Sequence, residues 1–136
     1  MSKTHDIKLT VGAAMLLKQL LESLGWYKDA NDFWRAGQVL DRPELDVGDP
    51  PKEPDGRPVA GERDGAKIRE WNEKWKAYEK EKLDPWFDRE VVLSGVTEKQ
   101  RTTLQTCVKH TLNQGGLHNT KHTRRLVGEL GLQPED

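Results

Sequence analysis

The chain has 136 residues, a net charge of −1 and one cysteine. That is one domain's worth of chain on a prior of about 100 to 200 residues. No apolar run approaches the ~20 residues of a membrane span, and Cys107 alone cannot close an internal disulfide. The polar first ten residues lack the apolar stretch of a secretory signal, so the expectation is a cytoplasmic protein with no membrane partner.

Leu, Ile, Val and Phe make 29 of the residues, just above the fraction of about 20% below which highly charged chains stay disordered. The core is therefore small, and the five Trp must supply much of its area, since each ring buries roughly 150 to 250 Å². Charge is uneven. Residues 99–128 carry six Lys and Arg and no acid, between acidic stretches on either side.

In chain order, Asp6 to Thr10 alternates, with Ile7 and Leu9 on one side, and reads as a short strand. From Val11 the period becomes helical. Ala13, Ala14, Leu16, Leu17, Leu20, Leu21 and Leu24 form a wide apolar stripe, with Thr10 as N-cap and Gly25 as the stop. This helix is expected at the centre of the core, with Leu17, Leu20 and Leu24 inside. A second helix is predicted over Ala30 to Leu40, turning Phe33, Trp34, Ala36 and Leu40 inward, with Pro43 preventing its continuation.

Residues 48–65 hold four Gly, four Pro and eight charged residues. They read as a flexible Pro/Gly-rich insertion, with a turn at Pro54-Asp55-Gly56. A charged amphipathic helix follows over Ala66 to Leu83, carrying Ile68, Trp71, Trp75 and Tyr78 at helical spacing and ended by Pro85. Glu90 to Ser94 is a second strand. Thr97 to Gln100 fits a capping box, opening a helix to about Gln114 that buries Leu104, Cys107, Val108 and Leu112. Gly115-Gly116 break it. A last helix, Thr120 to Leu130, buries Leu126, Val127 and Leu130. The fold expected is mainly α (α+β), one domain over residues 1–136, with four to five helices and a small two-stranded β element.

Ile7-Lys8-Leu9-Thr10 and Val91-Val92-Leu93-Ser94 are each a strand feeding a helix after a hydroxyl residue. A strand and helix, a Trp-bearing insert, then a second strand, helix and short helix: in this layout the chain resembles small phage-encoded proteins of unknown function. The resemblance brings no known active residues. It implies a host-modulating or assembly-accessory role.

Cys107, His110, His118 and His122 have spacings that suit Zn²⁺ in pairs, but structural zinc sites prefer several thiolates, and Cys107 reads more simply as a small buried hydrophobe. No metal or other cofactor is expected. There is no phosphate loop, nucleophile elbow or His-Glu-x-x-His, so no catalytic residue is assigned and the protein is expected not to be an enzyme. Two binding readings remain. In the first, an unidentified protein partner meets Trp86 and Phe87, which follow Pro85 outside any clear helix, and the cations Lys121, Arg124 and Arg125. In the second, the helix-turn-helix-like C-terminus binds nucleic acid through Lys99, Lys109, His118, Lys121, His122, Arg124 and Arg125.

Overall fold

Thr10 is where the hydrophobic period changes, and there a strand turns into a helix. The computed structural model describes residues 3–23 and 25–132. In it, strand β1 spans Thr4–Thr10 and helix α1 spans Val11–Glu22. Thr10 caps α1 by accepting from the Ala13 amide at 3.1 Å. The helix stops before the glycine: Ser23 is its C-cap, in extended backbone, and the Ser23 hydroxyl donates to the Gln19 carbonyl. Gly25 thus follows the stop instead of making it. Leu24 lies outside the described residues; Leu17 and Leu20 are buried as expected.

Helix α2 spans Ala30–Leu40, and a 3-10 turn at Pro43–Leu45 follows it. The next helix begins at Gly65, and Pro85 does not end it. Helix α3 (Gly65–Tyr78) passes through a π turn (Glu79–Leu83) into α4 (Asp84–Asp88) without leaving helical backbone. A proline ring clashes with the carbonyl four residues back in a regular helix. Here the amide before it, that of Asp84, reaches back five residues to the Glu79 carbonyl, and the wider turn accommodates Pro85.

Strand β2 spans Glu90–Thr97 and pairs antiparallel with β1, placing Ile7 opposite Leu93 and Leu9 opposite Val91. The register shifts between His5 and Ile7, so β2 carries one extra residue, a β-bulge. Gly95 sits there at φ 66°. Its amide donates to Asp6 Oδ1, while the Arg42 guanidinium donates to the carbonyls of Ser94 and Gly95. Groups left unpaired by the bulge thereby find partners.

Helix α5 spans Glu98–Asn113 behind the predicted capping box, in which Thr97 and Gln100 exchange both hydrogen bonds. Gly115, at φ 71°, ends it: the Gly115 and Gly116 amides donate to the carbonyls of Leu112 and Thr111, a Schellman motif. Helix α6 spans Lys121–Glu129, and Gly131 closes it in the same way. Leu126 and Leu130 are fully buried, Val127 only partly, and Leu112 remains 38% exposed instead of joining the core.

The described residues fall into two compact units, Gly48–Arg89 and the segments on either side of it. The larger unit's apolar cluster draws on both strands and on α1, α2, α5 and α6, and on no residue of Gly48–Arg89. With α3, the π turn and α4 taken as one rod, five helical bodies and a two-stranded sheet make a mainly helical fold with a small β element.

Candidate functional site

Helix α2 turns its largest side chains away from the core. Its start is fixed twice over, since Asp29 accepts from the Asp32 amide and Asp32 accepts from the Lys28 amide. Ala36 and Val39 are fully buried, and α2 packs against α5 on that side. At 3.6 residues per turn, Trp34 then falls nearly opposite the buried face. The outcome reverses the sequence expectation for two residues: Phe33 is 62% and Trp34 68% exposed.

The rings are not isolated. Trp26 is buried, and its ring lies 4.2 Å from that of Tyr27, which in turn meets Phe33 in an edge-to-face contact at 5.5 Å. Tyr27 is held by its hydroxyl, which donates to the Leu21 carbonyl, and burial pushes its pKa up. Among the described residues Trp26 Nε1 is buried without a partner, at a cost of about 1 to 3 kcal/mol that the buried ring must outweigh. An aromatic run thus leads from the core to the surface. Gly37, one turn beyond Phe33 and Trp34, has open space where a Cβ would stand.

The predicted site residues are scattered. Trp86 and Phe87 lie within α4, half-buried and edge-to-face at 5.0 Å; they are not outside a helix. Lys99 and Lys109 are exposed on α5, His118 is exposed in the loop, and Lys121, Arg124 and Arg125 are exposed on α6. Arg124 donates to Asn119 Oδ1 at 2.9 Å, and Arg125 lies 3.9 Å from Glu129. His122 turns inward. Its ring occupies the space a Cβ on Gly12 would need, 2.5 Å away, and Nδ1 shares a 2.7 Å hydrogen bond with Thr10 Oγ1. Helix α6 packs on α1 and β1, and α5 reaches the carbonyl of its C-cap, Leu130, through Arg101 and Gln105.

Cys107 is buried in the core, where desolvation pushes its thiol up to about 12. Among the described residues, no group of three or more His, Cys, Asp and Glu is placed to hold a metal ion. No helix among them is long and apolar enough to cross a membrane. Comparison with protein-family models, curated proteins and solved structures finds no match to the chain.

The exposure of Trp34 was legible in spacing: Ala36, Val39 and Leu40 already form an i, i+3, i+4 face, and Trp34 lies about 140° around the helix from Val39. Spacing does not foretell the exposure of Phe33, which sits three residues before Ala36 and seven before Leu40 and is 62% exposed all the same.

Proposed function

We propose that the protein is a non-enzymatic, cytoplasmic protein-binding module, and that Trp34 and Phe33 on α2 are its principal contact. The observation that carries this reading is the exposure of two large adjacent rings on a helix that buries Ala36 and Val39. Aromatic residues dominate interface hot spots because they offer large area for few rotors. A host-modulating or assembly-accessory role is the form of this reading that the resemblance of the sequence layout to small phage-encoded proteins suggests. Nucleic-acid binding through the basic segment is less favoured, because Arg124 and Arg125 already have partners within the chain and His122 packs against Gly12.

Affinity capture from the source cell with nuclease present, using wild type and Trp34→Ala side by side, tests the reading. A partner retained through nuclease treatment and lost with Trp34→Ala is expected. Capture that depends on nucleic acid, or that is indifferent to Trp34, would overturn it.

A further inference from the structure

The smaller unit has an internal design of its own. From Asp49 to Asp64 there is neither helix nor strand, yet this strap lies along the aromatic face of α3. Trp71, Trp75 and Tyr78 stack there in sequence, at 5.8 and 5.2 Å between centroids. The strap runs antiparallel to the helix. Tyr78 donates its hydroxyl to the Pro51 carbonyl, the Arg57 guanidinium sits 5.7 Å above the Trp71 ring, and Glu62 reaches Lys67 at 4.0 Å. A turn returns the chain into α3: the Glu62 amide donates to the Val59 carbonyl, with Gly61 at φ 85°.

Pro51, Pro54 and Arg57 recur every third residue, the period of a polyproline II helix. Proline fixes its own φ and pushes the residue before it towards extended backbone. Docking such a segment on a row of aromatic rings is an established way of recognising Pro-x-x-Pro peptides. Two clefts open to solvent, of about 320 Å³ and 430 Å³, lie where the strap and the helix meet, the first beside Trp71 and the second beside Tyr78. Glu53 and Asp55 share the second cleft with Lys74 and Lys82. Trp71 and Trp75 stay half-exposed.

We infer that the Trp71–Trp75–Tyr78 face is a binding site for an extended, proline-rich segment of a partner protein that carries a cation after its prolines, and that the chain's own strap fills this site in cis. The strap supplies the chemistry the site selects: a carbonyl at Pro51 for the Tyr78 hydroxyl, a second proline three residues on, and three residues after that a guanidinium over the Trp71 indole. This surface is separate from Trp34 and does not rest on it. Tethering keeps the strap at high effective concentration, so an outside segment must displace it.

The probe is a labelled peptide with the sequence of residues 50–62, titrated by fluorescence anisotropy into two full-length chains: wild type, and a variant whose residues 50–62 are replaced by a Gly/Ser linker of equal length. Saturable binding to the linker variant is expected, at least about tenfold tighter than to wild type because the competing tether is gone. Trp71→Ala in the linker variant, or alanine at the peptide's prolines, should each weaken it by a similar factor. Circular dichroism read alongside covers the case in which α3 frays without its strap, since the peptide should then restore helix. Absence of saturable binding to the linker variant, equal binding to both chains, or equal binding by the proline-free peptide would each overturn the proposal.

Discussion

Gly12 and His122 show how one side chain's size sets another's identity. In an exposed helix, Gly→Ala gains roughly 0.5 to 1 kcal/mol. At position 12 the new Cβ would lie 2.5 Å from the imidazole ring, and overpacking of that kind costs about 1 to 3 kcal/mol. Gly12→Ala should therefore destabilise the protein in urea unfolding, whereas the same change in a His122→Ala background should stabilise it. A stabilising effect in both backgrounds would show that the ring does not sit there. The sequence offers His122 as a candidate ligand or nucleic-acid contact, and in the structure it packs against Gly12 instead.

Glu98 carries a pH signature. A hydrogen bond with His5 is the main cause that holds its carboxyl below the usual range, with burial opposing and the charges of His5, Arg101 and Lys3 assisting. Because the folded pKa is the lower one, this contribution to stability is complete above the unfolded-state pKa and is lost as pH falls through the folded value. An NMR titration should place the Glu98 midpoint below that of a model peptide, and His5→Ala should raise it. A midpoint unmoved by His5→Ala would remove the contact from the account.

Elements were legible where a backbone rule and a hydrophobic period agreed. The capping box at Thr97, the Thr10 cap and the span of α2 all satisfy local chemistry that the sequence displays directly. Reading failed where tertiary context supplied a second option. Pro85 is a helix breaker unless the preceding turn widens, and the Glu79–Leu83 π turn widens it; the inward pull of Phe33 and Trp34 loses to the smaller Ala36 and Val39 face. Within α1 the stripe was unambiguous. Leu20→Ala, at a side chain 7% exposed among the core cluster, should cost about 2 to 5 kcal/mol by chemical denaturation. A loss below about 1 kcal/mol would mean that the site collapses around the gap.

At the scale of the molecule, the larger unit's apolar cluster contains no residue of Gly48–Arg89. Replacing Gly48–Arg89 by a short flexible linker should leave one cooperative thermal transition, with Tm lowered by a few degrees at most, since loop length affects closure entropy only slowly. Loss of the transition would show that the smaller unit is needed to fold the larger. The same division separates the aromatic surfaces, with Trp34 on one unit and the Trp71 row on the other. The composition reported five Trp in a small protein but not their distribution: Trp26 is buried, Trp71, Trp75 and Trp86 are half-buried, and Trp34 is exposed.

Binding through α2 is the central claim, and the affinity of the captured partner tests it most directly. Measured by calorimetry at physiological salt, Trp34→Ala should weaken binding about 30-fold or more, the effect of losing a hot spot worth about 2 kcal/mol, with the protein's own Tm unchanged. Arg124→Ala/Arg125→Ala should change the affinity little, because exposed rim charges act mainly on association rate. Wild-type affinity in Trp34→Ala, together with strong loss in the arginine variant, would contradict the account and move the contact to α6.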